Sequence, residues 1–141
     1  MNAIDFLIKE HNRVRTMFVD ISDESHHYDT QKKKFAILSD DLLRHEKMEH
    51  EVWYPHFKSK VSDTVKHLLV EEKNAEKAIK KLDNLKTEAA WKEGFLKLKD
   101  DVEHHAREEE NDLFPEVRTI LSEKELEEIG KTMYEFKKNH S

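Results

Sequence analysis

Two eleven-residue stretches of the chain, sixty positions apart, carry the same pattern. The first is HEKMEHEVWYP at residues 45–55, and the second is HAREEENDLFP at residues 105–115. Each places a Glu four residues after a His, and an aromatic residue followed by Pro ends it. At the same offset the preceding segments also align their apolar residues, for example Phe35 with Phe95. The repeat predicts that one structural unit occurs twice in the chain.

Apolar residues recur at helical spacing in four long segments. In the first segment they form one stripe, which consists of Ile4, Leu7, Ile8, Val14, Met17, Phe18 and Ile21. Such a stripe is typical of a helix that packs one face against a core. The first segment aligns with the third at an offset of 61, which places His11 on Glu72. Each half of the chain is therefore predicted to be a helical hairpin with polar residues within its apolar face.

The composition favours helices over sheets. Only 2 Gly and 2 Pro occur in 141 residues, and 40% of the residues are charged, which leaves little turn chemistry for strands. Short linkers make consecutive helices antiparallel neighbours. We therefore predict an all-α fold, an up-down-up-down four-helix bundle with a short C-terminal fifth helix. We expect one domain over 1–141, with the bundle at about 2–120 and the last helix at about 122–138.

Several helix boundaries are predicted from capping residues. Thr30, Ser62 and Thr87 precede the second, third and fourth helical segments. Ser122 and Glu125 have the spacing of a capping box at the start of the last helix. Pro55 predicts a kink or a frayed end near residues 51–59. The apolar residues of 120–141 are expected to cover the end of the bundle, with docking of a partner or of a second copy as the alternatives.

The repeated His and Glu residues have the spacing of metal ligands. Residues four apart lie one above the other on a helix, so one His and one Glu can close on a single ion or bridge two. An unpaired carboxylate in a bundle core is prohibitive unless it binds something. The candidate ligands are His11, His45, Glu49, Glu72, His105 and Glu109. Nitrogen and oxygen ligands without thiolate suit iron or manganese, with zinc as an alternative.

Weaker candidates and plainer interpretations accompany this set. Three residues are weaker metal candidates, namely His67, Glu46 and Glu71. His67 shares the His/Glu spacing with Glu71 but lies off the apolar stripe of its helix. Solvated or hydrogen-bonded side chains are expected at His26, His27, His50, His56 and His140, and solvated ones at Glu108 and Glu110. His104 is expected on the surface or behind a ligand. Tyr54 is expected in the core at a helix end, with a position close enough to the site for redox contact as an open alternative. A metal-free bundle held by His–Glu pairs is the alternative to a metal centre.

Charge and hydropathy exclude several classes of partner. The chain has 25 Lys and Arg against 31 Asp and Glu, a net charge of −6, and no pooled basic segment, so nucleic acid is not expected as a partner. It lacks the roughly 18 consecutive apolar residues of a membrane span. The N-terminus has no signal-peptide pattern, and we expect a cytoplasmic protein. The absence of Cys excludes disulfides and thiolate ligands.

At these residues the chain resembles the hemerythrin-like family of HHE cation-binding domains. The motifs that carry the resemblance are Glu10–His11, the His45/Glu49 pair before WYP, and HHAREEE at 104–110 before LFP. The resemblance covers residues 1 to about 120 and implies a four-helix bundle with a non-haem, oxygen-reactive centre of two irons per chain, bridged by oxo or hydroxo. It also implies that His11, His45, Glu49, His105 and Glu109 are ligands.

The third helix departs from the family pattern. The family places His there in an EH pair, whereas this chain has Glu71 and Glu72. A carboxylate in place of an imidazole makes such a site more electron-rich and weakens the expectation of reversible oxygen carriage. The ligand set moves toward that of oxidase-like di-iron carboxylate proteins.

Three functions from different classes follow. The leading hypothesis is a binding or sensing protein for dioxygen, nitric oxide or peroxide, or a protein that handles iron. The second is a di-iron oxidase or peroxidase. The third is a structural helical module with a vestigial metal site. A sensor of this length needs a separate protein partner for its output, and the sequence indicates no particular one.

Overall fold

The computed structural model describes residues 1–140, and that range folds into helices without strands. The α-helices are α1 (Ala3–Ser22), α2 (Tyr28–Met48), α3 (Ser62–Asp83), α4 (Glu88–Glu108), α5 (Phe114–Ile120) and α6 (Glu123–Asn139). A π-helical turn at Glu49–Trp53 and a 3-10 turn at Tyr54–His56 extend α2, and a π-helical turn at Glu109–Leu113 joins α4 to α5. The predicted all-α bundle with a C-terminal helix is confirmed.

Two of the predicted helix caps are correct and two are wrong. Thr87 caps α4 by accepting from the Ala90 amide at 3.1 Å, and Ser122 forms the capping box of α6 with Glu125. Thr30 lies inside the first turn of α2, because that helix already begins at Tyr28.

Ser62 is the first residue of α3 rather than its cap. The chain enters α3 through a backbone turn in which the amides of Lys60 and Val61 donate to the Phe57 carbonyl. This turn fixes the start of α3 without a side-chain cap.

Two apolar clusters fill the bundle on either side of a polar layer. One cluster lies toward the α1 N-terminus and includes Leu7, Trp53 and Leu113. The other lies toward the α1 C-terminus and includes Phe18 and Phe95 with their neighbours. On each of the four long helices the candidate metal ligands fall between residues of the two clusters. Along the bundle axis, apolar side chains therefore lie on both sides of the polar layer.

Helix α6 covers one end of the bundle, as expected. Its buried residues Leu126, Met133 and Phe136 belong to the first apolar cluster. Gly130 lies against the backbone of Met1–Ala3 so closely that a Cβ there would be 2.9 Å from the Asn2 carbonyl carbon. None of the helices formed by residues 1–140 combines the length and apolar character needed to cross a bilayer.

Candidate metal centre

The structure brings all six candidate ligands into one layer of the bundle. His11 comes from α1, His45 from α2, Glu72 from α3 and His105 from α4, and the two π turns begin at Glu49 and Glu109. Both of these glutamates are fully buried, with 0% of their surface exposed. Buried carboxylates of this kind require positively charged or proton-donating groups around them.

The ligand atoms fall into two groups that share Glu109. His11, His45 and Glu109 form one group, and Glu49, Glu72, His105 and Glu109 form the other, with the ligand atoms of each group within 4.8 Å of one another. The Glu109 carboxylate lies 3.8 Å from His11 Nε2 and 2.9 Å from His105 Nε2. Glu109 is thus placed between two clusters of ligand atoms, each of a size that one cation fills.

The two π turns are the local device that aims Glu49 and Glu109. In each turn an amide donates to a carbonyl five residues back, Tyr54 to Glu49 and Phe114 to Glu109. Such a turn inserts one residue into an α-helix and occurs often at functional sites. The sequence repeat is therefore also a repeat of backbone geometry. The α-helical spacing used for the sequence did not predict this feature.

Carboxylates outside the layer face all three imidazoles and hydrogen-bond to those of His11 and His105. Glu110 accepts from His11 Nδ1 at 2.7 Å, and Glu71 lies 3.0 Å from His105 Nδ1. Glu10 lies 4.0 Å from His45 Nδ1 and pairs with Lys137. These contacts leave the Nε2 atoms of the rings toward the layer.

The solvated role predicted for Glu110 is wrong. Its carboxylate also binds the Arg15 guanidinium through two nitrogens, each at 3.0 Å. Glu110 therefore links the π turn to α1 and does not point freely into solvent.

Glu72 makes two contacts that the sequence did not predict. The Tyr54 hydroxyl donates to Glu72 Oε2 at 2.6 Å and lies 3.4 Å from Glu49. His50 Nε2 lies 2.6 Å from Glu72 Oε1, which agrees with the expectation of a solvated or hydrogen-bonded histidine and places it beside a candidate ligand. The π turn explains both, since it turns the residues after Glu49 out of α-helical register. In the sequence, the only sign of these contacts is that a His and a Tyr occur near or within the WYP motif.

The pKa values of Glu49 and Glu109 are shifted in opposite directions. Burial, followed by the charges of Glu109 and Glu72, raises the pKa of Glu49 well above its usual range. Burial also acts against ionised Glu109, but its interaction with Glu49 and the charge of His105 outweigh it and lower the pKa of Glu109. Two carboxyls in one apolar site cannot both ionise without such compensation.

The histidines and Glu72 form complementary charges around this pair. Burial alone would lower the pKa of His105, but the charge of Glu109 and the hydrogen bonds with Glu109, Glu71 and Glu72 raise it. Burial would raise the pKa of Glu72, yet hydrogen bonds with His105 and His50 lower it to about 2. The layer is therefore a network of coupled titratable groups, and these are the groups whose protons a bound cation would displace.

The three weaker candidates lie outside the two ligand groups. Glu46 is buried, and its burial together with Glu76 and Glu72 raises its pKa to about 9. Glu71 turns toward His105, and His67 is 60% exposed on the outer face of α3. His104 is also on the surface, as expected, with 65% of its side chain exposed.

Buried atoms without hydrogen-bond partners test whether a metal fits this layer. Within residues 1–140 they include His11 Nε2, Glu49 Oε1 and both carboxylate oxygens of Glu109. Buried polar atoms are almost always hydrogen-bonded in folded proteins. Four of the eight such atoms in these residues thus belong to the two ligand groups, and nitrogen and oxygen donors of this kind bind divalent cations. The residues present therefore fit a metal centre.

A cavity borders the layer and offers room for a small ligand. Its volume is about 680 Å³, and its wall includes Val14, Ala75 and Ala78 beside His11, His45, Glu49, Glu72 and His105. The small side chains of α3 leave this space opposite α1. A molecule in the cavity has direct contact with the candidate ligands.

Comparison with known proteins defines the class. The family model described as hemerythrin HHE cation binding domain matches residues 2–117. The crystal structure of an HHE cation binding domain-containing protein from Mycobacterium kansasii superposes with a TM-score of 0.87 at 22% identity, covering 99% of this chain and 87% of that one. The chain thus belongs to the hemerythrin HHE cation-binding family, and it is a helical domain that binds metal cations.

One curated relative is a longer protein. A DNA nickase from Nostoc sp. is 28% identical over 132 residues, which are 91% of this chain and 37% of the nickase. The chain therefore spans little more than a third of that relative's length.

Proposed function

We propose that this domain holds two iron ions in the polar layer and binds a small ligand, dioxygen, nitric oxide or peroxide, in the adjoining cavity. The observation that carries the proposal is the pair of ligand groups that share Glu109. His11 and His45 would hold one ion, Glu72 and His105 the other, and Glu49 and Glu109 would lie between them. Manganese or zinc in the same ligands is the alternative to iron.

The chain's own groups organise such a centre. Two iron ions supply redox equivalents and an open position for a small molecule when bound. From outside the layer, Glu110 orients the imidazole of His11, and Glu71 orients that of His105. These contacts fix the tautomers of the two rings. The Tyr54 hydroxyl donates a hydrogen bond to Glu72 and holds that carboxylate in place. Phe114 stacks on the His11 ring at 6.1 Å and helps to exclude water.

Iron stoichiometry after anaerobic loading with Fe(II) tests the proposal. The wild type is expected to bind about two irons per chain and to develop near-ultraviolet absorption on admitting air. His11→Ala removes a residue from one ligand group only, so it is expected to bind about one iron. His56→Ala, which changes an exposed histidine outside the layer, is the matched control. Equal iron content in H11A and the wild type would contradict the ligand assignment.

A di-iron oxidase or peroxidase is the second candidate. The acidic Glu72 and the Tyr54 hydroxyl at 2.6 Å favour it, because a carboxylate ligand and a nearby proton donor suit reductive chemistry on peroxide. Excess hydrogen peroxide with a reducing dye distinguishes the two: an enzyme consumes many equivalents per centre, whereas a binding protein forms one adduct that reverses.

The activity named for the Nostoc relative is not part of the proposal. This chain covers 37% of that nickase. Its net charge of −6 also disfavours the phosphate contacts that DNA binding requires.

A further inference from the structure

A second group of His and Glu side chains lies on the outer face of α3 and α4, apart from the buried layer. His67 and Glu71 are one turn apart on α3, and His104 and Glu108 are one turn apart on α4. The spacing of the two buried His/Glu pairs thus occurs twice more, now on neighbouring helices. We call these four residues the surface cluster.

The two imidazoles converge on the same two carboxylates. His67 Nε2 lies 3.0 Å from Glu108 Oε2 and 3.5 Å from Glu71 Oε2. His104 Nε2 lies 3.5 Å from the same Glu71 oxygen and also contacts Glu108. Each histidine therefore faces both glutamates across the groove between the helices. One carboxylate is enough to hydrogen-bond a histidine nitrogen. Here each histidine nitrogen faces two carboxylates, which is more than a simple His–Glu pair requires.

The separations between His67 and the two carboxylates match those of a tetrahedral cation site. Ligands at 2.0–2.2 Å from a zinc-sized ion are about 3.4 Å from one another in a tetrahedron. The nitrogen-to-oxygen distances of 3.0 and 3.5 Å bracket this value. The ligand atoms of His67, Glu71 and Glu108 all lie within 4.8 Å of one another. The histidines are 60% and 65% exposed, so an ion reaches the cluster directly from solvent.

We propose that His67, Glu71, His104 and Glu108 form a third cation site, which binds a divalent first-row transition ion of the zinc type. His67, Glu71 and Glu108 supply three ligand atoms that lie within 4.8 Å of one another, and His104 faces the same two carboxylates as the fourth candidate ligand. The i, i+4 pairs on two packed helices hold these residues in place. In the described part of the chain, every ion pair of Glu71 and Glu108 is made with a histidine.

The surface cluster adjoins the buried layer through one side chain. Glu71 directs Oε2 to the cluster, while its Oε1 lies 3.0 Å from His105 Nδ1. An experiment must therefore distinguish an ion in the cluster from one in the layer. The two histidines are the residues to change, because neither lies in the ligand groups of the layer.

The proposal is tested on the chain after its buried centre has been loaded with iron. Zn²⁺ is then added, and its binding is measured by isothermal titration calorimetry. The wild type is expected to bind one additional zinc, and the double variant H67A/H104A is expected to bind it at least about 100-fold more weakly. The matched control is H27A/H56A, which removes two other exposed histidines and is expected to keep the wild-type affinity. Unchanged melting without zinc verifies that the variants fold.

A result independent of iron separates this proposal from the function proposed for the layer. If iron does not load, the same titration of the metal-free chain is expected to show one zinc fewer in H67A/H104A than in the wild type. Anomalous diffraction at the zinc edge is expected to place that ion between α3 and α4. The proposal is overturned if the wild type and H67A/H104A bind zinc with equal affinity, or if the wild type binds no additional zinc.

Discussion

Adjacent residues divide the work of the buried layer between two helices. Glu109 points into the layer while its neighbour Glu110 contacts His11 on α1. Glu72 points in while Glu71 contacts His105 on α4. Because neighbouring residues on a helix are about 100° apart, one can ligate and the next can brace an imidazole of the adjoining helix. The acidic pairs of this chain therefore have two different roles rather than one ligand and one solvated charge.

Replacing Glu110 by Gln tests the bracing role. The change removes the charge that faces His11 Nδ1 and Arg15 but keeps the size of the side chain. We expect iron affinity to fall about tenfold or more, because groups behind a metal-bound imidazole contribute that much. Competition with a chelator measures the affinity. The exposed Glu116→Gln is the control, and equal affinities in the two variants would contradict the bracing role.

Tyr54→Phe tests the hydrogen bond to Glu72. The variant leaves a buried carboxylate oxygen without the donor that now lies at 2.6 Å. We expect unfolding of the metal-free chain in urea to show a loss of about 1–3 kcal/mol. Tyr134→Phe removes the hydroxyl of a tyrosine that is 62% exposed and is expected to change stability little. A Tyr54→Phe chain as stable as Tyr134→Phe would show that the hydroxyl does not support Glu72.

Most of the buried layer could be predicted from the sequence, and the reason lies in the periodicity. His11, His45, Glu72 and His105 share a face with apolar neighbours on straight α-helices, so their inward direction follows from spacing. His50 and Tyr54 could not be predicted to reach Glu72. They follow Glu49 in a π turn, where α-helical spacing no longer gives the direction of a side chain.

The π turns and the last helix are the elements that a periodic pattern describes least well. Pro55 predicted an irregular helix end near 51–59, and the helical segment does end at His56. The turn at Glu49–Trp53 itself arises from packing, since it aims Glu49 inward while Trp53 and Tyr54 remain buried. The same solution at Glu109–Leu113 shows that both halves of the chain meet one packing requirement.

Gly130→Ala tests the docking of α6. A Cβ at this position would lie 2.9 Å from the Asn2 carbonyl carbon and 3.0 Å from the Ala3 amide nitrogen, and backbone cannot yield as a side chain does. We expect a loss of about 1–3 kcal/mol in the free energy of unfolding, measured in urea. Gly94→Ala is the matched control, because its Cβ would meet the flexible tip of Leu82.

The control separates a clash from a general effect of alanine in a helix. Alanine favours a helix over glycine by about 1 kcal/mol, which offsets the displacement of Leu82 in Gly94→Ala. That variant is therefore expected to remain within about 1 kcal/mol of the wild type. A Gly130→Ala chain as stable as Gly94→Ala would mean that α6 shifts away from the N-terminal backbone without loss.

Seen as a whole, the molecule surrounds a charged layer with two apolar clusters. Cluster members on the four long helices, such as Phe18 and Phe95, were predictable from the apolar stripes, whereas Trp53 and Leu113 lie in the π turns. The sequence could not supply the starts of α2 and α3, because backbone turns rather than cap side chains fix them. Nor could it predict the surface cluster, which depends on how α3 and α4 meet.

The layer also makes the stability of the metal-free chain depend on pH. The raised pKa of His45 and His105 contributes stability that is complete below the unfolded value of about 6.5 and is lost as pH rises through the folded pKa. The raised pKa of Glu49 acts in the same direction, since folding requires its protonation above about pH 4.3. Glu72, whose pKa is lowered to about 2, is ionised in both states near neutrality and adds no slope there.

Metal binding should therefore protect the chain increasingly as pH rises from 6 to 8. A cation displaces the protons of His45, His105 and Glu49, so its apparent affinity grows about tenfold per pH unit for each proton released, and tighter binding raises the melting temperature further. Calorimetric melting of the metal-free and the anaerobic Fe(II)-loaded chain at pH 6, 7 and 8 measures the difference. We expect it to widen with pH, with proton release seen as a dependence of the binding enthalpy on the buffer. A constant difference would mean that the buried protons do not exchange for metal.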